Sequence, residues 1–249
     1  LEKAGWDGQK QIREEYSLSA GRIVVRGQNA SRDPAAVRRA DYVLEIFRNV
    51  PIAVVEAKDN KHQVESGIQQ ALEYARLLGV PFAFSSNGDG FVFHDATIDP
   101  KTGAPIERYL ALDGFPSPDD LWKRYLAWKK IPEGSKDLVL FGYSPELEGR
   151  RPRYYQVNAI NAVLEAVARG QRRALLVMAT GTGKTFVSFQ IIWRLWKSGR
   201  ARKILYLADR NILVDQTMVN DFKPFKGHMT KLSPDHGGLE RVEPARMAE

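Results

Sequence analysis

Two groups of residues in this chain have the types and spacing for chemistry. The first is the octapeptide Met-Ala-Thr-Gly-Thr-Gly-Lys-Thr at 178–185, directly after the apolar run 174–177. Gly181 and Gly183 let the backbone curl so that successive N–H groups converge on phosphate oxygens. Lys184 is placed to reach the β- and γ-phosphates of a nucleotide, and the Thr185 hydroxyl to ligate Mg²⁺. A helix opening at Lys184 would add partial positive charge beneath the anion. Thr180, Gly181, Thr182, Gly183, Lys184 and Thr185 are therefore the candidate nucleotide-binding residues. The general loop asks for Gly five residues before Gly183, where this chain has Met178. A Gly-rich turn without a ligand is the competing reading; strand, loop, Lys-Thr and helix in that order favour phosphate.

The second group is Asp41, Glu56 and Lys58. Residues 41–47 (Asp-Tyr-Val-Leu-Glu-Ile-Phe) have strand character, and 52–58 (Ile-Ala-Val-Val-Glu-Ala-Lys) are apolar until their end. With 48–51 as a four-residue loop they form a hairpin. If Phe47 sits opposite Ile52, Asp41 falls opposite Lys58, and Glu56 shares the face of Lys58. Two neighbouring carboxylates repel unless a cation joins them. Mg²⁺ accepts one or two carboxylates and keeps waters, and it can activate a water beside a scissile phosphate. Lys58 could orient that water or neutralise developing negative charge. Glu-x-Lys is a common tripeptide, so solvated charges at a strand end, or an ion pair between Lys58 and Asp41, stand as alternatives.

The elements that must position these residues are legible as patterns. Residues 62–78 read as a helix that sets Gln70 and Tyr74 on one face at i, i+4. Residues 80–84 read as a short apolar strand, Asn87-Gly88 as a turn, and 91–93 as a further strand. Upstream, the pattern predicts a helix over about 6–17 and a strand over about 22–26. In the second half, 174–177 and 203–209 read as buried strands, the second followed by a helix opening at Arg210-Asn211. Gln156 lies about a helix length before the first of them; its amide can pair both donor and acceptor with an adenine edge.

With Gln156, the loop 178–185 and 205–210 (Leu-Tyr-Leu-Ala-Asp-Arg), the second half resembles the first motor domain of a superfamily 2 helicase or translocase. That likeness implies ATP as the nucleotide and Gln156 as its adenine reader. In the first half, Asp41, Glu56-Ala57-Lys58 and the order helix, strand, hairpin, helix, strand resemble the PD-(D/E)xK nuclease core. Ala40 replaces the Pro expected before the Asp. The more restrictive sign is Gln70-x-x-x-Tyr74, a motif of RecB-like nucleases and of the restriction subunits of type I restriction–modification enzymes. A nuclease core of this type followed by such a motor resembles the type I restriction (R) subunit, over roughly 1–95 and 150–225. The resemblance implies Asp41 and Glu56 as metal ligands with the Ala57 carbonyl as a third, Lys58 as catalytic lysine, and Gln70 and Tyr74 as its accessory pair. It further implies ATP-driven pulling of double-stranded DNA, cleavage when translocation stalls, and partner methylation and specificity subunits.

Composition bounds the rest. The chain has 249 residues, enough for two domains. No apolar run approaches the ~18–20 residues of a membrane helix, and no signal peptide is visible. Zero Cys excludes a disulfide framework and a Cys-ligated zinc site and fits a cytoplasmic protein. His62, His94, His228 and His236 show no metal spacing. The net charge of +7 is uneven, with 151–249 holding 17 Lys/Arg against 8 Asp/Glu, as expected of a surface that tracks phosphates. Pro- and charge-rich sequence places a linker at about 131–151, dividing a nuclease domain (1–130) from the start of a motor (152–249); 226–249 read as an irregular tail. No acidic Asp-Glu pair follows the second motor strand before Glu249, and Leu1 is not a start Met, so the chain is expected to be a fragment that turns over ATP poorly alone. The expected architecture is α/β: a mixed sheet flanked by helices, then an incomplete RecA-like P-loop domain. The expected function is an ATP-dependent, Mg²⁺-dependent restriction endonuclease subunit. Another defence or repair helicase–nuclease, or a non-cleaving DNA-binding assembly scaffold, remain open.

Overall fold

The computed structural model describes residues 1–20, 23–26, 29–32, 37–144, 152–208 and 211–232, with the side chains of 19–37 and 211–213 left aside. These residues fall into two compact units, 1–142 with 152–176 and 143–144 with 177–232. Among the described residues no helix is long and apolar enough to cross a membrane.

The first unit is built on a six-stranded mixed sheet. Its strands are β1 (Ile12–Ala20), β4 (Val37–Phe47), β5 (Val50–Ala57), β6 (Phe82–Ser86), β7 (Phe91–Asp95) and β8 (Glu107–Leu110), in that spatial order. Only β5 and β6 run parallel, joined across helix α1 (Ile68–Leu78). β2 (Ile23–Arg26) and β3 (Asn29–Arg32) make a separate hairpin. β5 is buried along its length until Ala57, as a central strand covered on both faces must be. On one face Leu44, Ile52, Phe82, Phe84 and Phe93 pack with Trp6, Phe115 and helix α2 (Pro118–Trp128). On the other, Val43, Val54, Ala83 and Val92 receive Ile68, Ala71, Tyr74 and Leu78 of α1.

The structure departs from the sequence expectation at the start of the chain. The predicted helix at 6–17 is instead largely β1, the edge strand paired antiparallel with β4. Glu, Lys, Gln and Arg favour helices in isolation, but pairing with a buried neighbour outweighs that weak preference, with Leu18 fully buried. The hairpin also closes more tightly than expected. Asn49 takes φ 63°, a left-handed conformation that Asn tolerates, so Arg48 and Asn49 alone make the turn and Phe47 pairs with Val50. Past irregularities at Glu45 the ladder settles with Tyr42 opposite Val55, which puts Asp41 opposite Glu56 rather than Lys58. In this regular part the shift is two residues, so Asp41, Glu56 and Lys58 keep their expected shared face; a shift of one would have reversed Asp41.

The segment read as a linker is partly built into the first unit. Helix α3 (Lys136–Leu140) buries Leu138 and Val139, and residues 145–151 lie outside the described set. Helix α4 (Tyr154–Ala168) also packs within the first unit. The Tyr125 hydroxyl donates to Glu165 at 2.5 Å, Lys129 pairs with Glu165 at 3.0 Å, Asn161 donates to the Asn49 carbonyl and Asn158 to that of Leu77.

The second unit holds helices α5 (Lys184–Lys197) and α6 (Asn211–Val219); Phe189, Trp193 and Trp196 of α5 pack with Phe222 and Phe225. The strands expected at 174–177 and 203–209 are not formed among the described residues: 171–179 and 203–208 run without a ladder. Leu175, Val177, Leu205 and Leu207 are mostly exposed. A strand exists only through its neighbours' hydrogen bonds, and no described segment pairs with either. Asp209 and Arg210 of the second motor motif, and the tail from 233, lie outside the described residues.

Candidate functional site

Where β5 ends, the structure brings together Asp41, Glu56, Lys58, Gln70 and Tyr74. Glu56 is fully buried. One carboxylate oxygen, Oε1, accepts from the Asp41 backbone N–H at 3.2 Å. The other, Oε2, is buried without a hydrogen-bond partner and lies 3.8 Å from the Lys58 ammonium. The Asp41 carboxylate accepts from the Ala57 N–H at 2.8 Å, so each acid is held by the strand that carries the other. Burial, and then the neighbouring Asp41 charge, push the Glu56 carboxyl from 4.5 up to about 7.

Lys58 is fixed from two directions. Its backbone N–H donates to the Ser86 carbonyl at 2.8 Å, and its ammonium donates to Gln70 Oε1 at 3.2 Å. The Gln70 amide nitrogen in turn donates to the Tyr74 hydroxyl one turn later, at 3.3 Å. The i, i+4 spacing is thus a short relay that ends on the lysine. Residues that the spacing did not mark stand beneath it. Ser85, directly opposite Glu56 on β6, accepts from the Gly67 N–H at 3.0 Å and donates to the Val64 carbonyl at 2.6 Å. Asn87, read only as part of a turn, donates to the His62 carbonyl at 3.0 Å. The available signal was the abrupt change from Phe82-Ala83-Phe84 to Ser85-Ser86-Asn87 within one strand and its end.

The second candidate group is contiguous. Gly181 and Gly183 have φ 78° and 86°, values open to glycine at no steric cost, and α5 begins at Lys184. Thr182 turns the loop back, donating from Oγ1 to the Ala179 carbonyl at 2.6 Å. The Lys184 ammonium reaches the Met178 carbonyl at 3.4 Å; Thr180 and Thr185 flank the turn. Gln156 is in the first unit, in the opening turn of α4, where its Oε1 accepts from the Arg153 N–H at 2.9 Å.

Residues 23–102 match the family described as the type I restriction enzyme R protein N terminus. The endonuclease subunit of the type I restriction enzyme EcoAI from Escherichia coli is 53% identical over 92% of this chain. The chain belongs with the R subunits of type I restriction enzymes. Residues 150–241 of this R-subunit chain match a second family, described as the type III restriction enzyme res subunit. The EcoKI endonuclease subunit of Escherichia coli K12 is 29% identical over 72% of the chain. A solved fragment titled as an HsdR subunit of a type I restriction enzyme, from Vibrio vulnificus, is 41% identical over 80% of this chain and 36% of its own, with a TM-score of 0.68. The chain spans 28% of the EcoAI relative and 18% of the EcoKI relative.

Proposed function

We propose that this chain carries the DNA-cleaving site, and the opening of the ATP-driven motor, of a type I restriction subunit. The observation that carries the reading is the buried, half-unpartnered Glu56 carboxylate beside Asp41 and Lys58. Burying a carboxylate costs several kcal/mol unless a cation compensates it, and a structural role needs no such arrangement. On this reading the first unit is a PD-(D/E)xK nuclease domain with Asp41 and Glu56-Ala57-Lys58 as its signature. Among the described residues no three acids, His or Cys gather as a ligand cluster; two carboxylates and an oxygen donor fit Mg²⁺, which keeps its waters. Asp41 and Glu56, with the Ala57 carbonyl, would hold it, and when bound it supplies Lewis acidity and an acidified water.

The chain's own residues do the rest. Lys58 offers a charge to the phosphate as negative charge develops. Gln70 takes one of its three N–H groups, which fixes the ammonium over Glu56, and Tyr74 fixes Gln70. In the second unit the turn 180–185 fits a triphosphate: its glycines allow the curl, the helix end and Lys184 supply positive charge, and Thr185 offers a hydroxyl to Mg²⁺. Gln156 would read adenine. The substrate is unmodified double-stranded DNA in the cytoplasm, recognised through partner methylation and specificity subunits. The likeness to the EcoAI subunit supports this over another helicase–nuclease, and the Glu56 environment supports it over a non-cleaving scaffold.

The test is cleavage of unmodified DNA, with ATP and Mg²⁺, by the intact protein with its partner subunits. Asp41→Ala or Lys58→Ala should abolish cutting and leave ATP hydrolysis in place. Cutting at the native rate by both variants would refute the nuclease assignment.

A further inference from the structure

The cluster's geometry depends on how closely α1 approaches the end of β5, and that approach is set at a point outside the five residues themselves. Gly67, the residue just before α1, has φ −94° and ψ −11°. Any residue can adopt that backbone, so glycine is not there for conformation. It is there for space. A Cβ on Gly67 would lie 2.7 Å from Ser85 Oγ, 3.1 Å from Glu56 Cβ and 3.5 Å from Lys58 Cε. The helix start therefore rests directly on the carboxylate-bearing residue and on the stem of the lysine.

Ser85 holds it there. Its hydroxyl uses both its acceptor and its donor on one turn of backbone, the Gly67 N–H and the Val64 carbonyl. Ser85 pairs in register with Glu56 and is completely buried, so the clasp anchors the helix start to the strand beside the acid. Three residues along α1 from Gly67 comes Gln70, whose Oε1 holds the Lys58 ammonium. A displacement at Gly67 is thus carried to the lysine by two routes: through the contact with its Cε, and through Gln70.

Building on the nuclease reading, we infer that Ser85 and Gly67 are positioning residues for cleavage. The serine clasps and the glycine admits the approach that sets Lys58 and Gln70 against Glu56. Neither touches substrate. Partners that orient primary groups in this way are worth 10–100-fold when removed. Space and clasp also act on the same atoms, so their removal should not be additive.

The experiment measures DNA cleavage and ATP hydrolysis by the intact protein with its partner subunits, for Ser85→Ala, Gly67→Ala, the double variant and Glu56→Ala. Ser85→Ala should lower the single-turnover cleavage rate by about 10–100-fold with little change in the DNA concentration giving half-maximal rate. ATP hydrolysis should stay near native, and the thermal midpoint should fall by only the several degrees that two lost buried hydrogen bonds account for, with the folding transition intact. Gly67→Ala should be more severe, and adding Ser85→Ala to it should restore part of the rate, because the closest clash, with Ser85 Oγ, is relieved. Native cleavage by Ser85→Ala beside a dead Glu56→Ala would overturn the inference and leave the nuclease reading standing. Native cleavage by Glu56→Ala would overturn the nuclease reading itself. Loss of cleavage in step with loss of ATP hydrolysis and of the thermal transition would mean a purely structural role, and would also overturn the inference.

Discussion

Replacing Glu56 with Gln should make the protein more stable and inactive at once. The Glu56 carboxyl titrates near 4.5 in an unfolded chain and is pushed to about 7 in the folded one. Its folded form therefore binds the proton more tightly. The associated stability is complete below about pH 4.5, falls as pH rises towards 7, and stays low above that. At about 1.4 kcal/mol per pH unit, the ionised carboxylate costs the folded protein about 3 kcal/mol at pH 8. Gln is neutral at every pH and can keep the bond from the Asp41 N–H. Its amide nitrogen would face the Lys58 ammonium, which offsets part of the gain. In metal-free buffer, Glu56→Gln should therefore exceed the native protein by about 1–3 kcal/mol at pH 8, with the advantage shrinking towards pH 5. Urea denaturation across that range, following the transition of the first unit, measures it. Adding Mg²⁺ should narrow the difference at pH 8, because an ion that binds only the native acid pair stabilises only the native protein. Parallel pH profiles for the two proteins would refute the reasoning, and a difference unmoved by Mg²⁺ would refute the metal role of Glu56.

Two further outcomes separate the units. On the proposed motor reading, Lys184→Ala removes the charge that would meet the β- and γ-phosphates, where charge neutralisation is most of the catalysis; it should eliminate ATP turnover and, with cutting proposed to depend on translocation, cleavage as well. A complex that hydrolyses no ATP but still cuts at the native rate would show the two activities to be uncoupled. Tyr125→Phe deletes a buried bond to the Glu165 carboxylate and should cost about 1.5–3 kcal/mol in urea denaturation, the range for hydrogen bonds to charged groups. Unchanged stability would mean that Lys129 alone satisfies Glu165.

The site was more legible than the strands that build it. Asp41, Glu56, Lys58, Gln70 and Tyr74 could be placed together because strand alternation and helical spacing are properties of the backbone. They survive an error of two residues in the hairpin register. Asn49 caused that error, since its positive φ shortens the turn and nothing in its neighbours announces it. β1 was misread because helix propensity is local, whereas its pairing with β4 is not. Ser85 and Gly67 were missed for a related reason. Their significance lies in a contact across 18 positions, and a serine after three apolar residues signals a strand end as readily as a clasp. In the second unit, 174–177 and 203–208 have strand composition without strand partners among the described residues, and composition says nothing of what pairs with what.

Helix α4 bears on where such a chain can be exchanged or divided. The shift in charge near residue 151 invites a boundary there, and the helix that follows it is where the likeness to a motor begins. Yet Glu165 of that helix neutralises Lys129 and receives the Tyr125 hydroxyl, while Asn158 and Asn161 cover the carbonyls of Leu77 and Asn49. Asn49 is the residue on which the hairpin of β4 and β5 turns. A chimaera joined at 151 would set α4 from one parent against a hairpin turn and an α2 from another. One joined beyond Ala168 would carry the six-stranded sheet together with its own brace, and related subunits should exchange the sequence that follows more readily at that later seam.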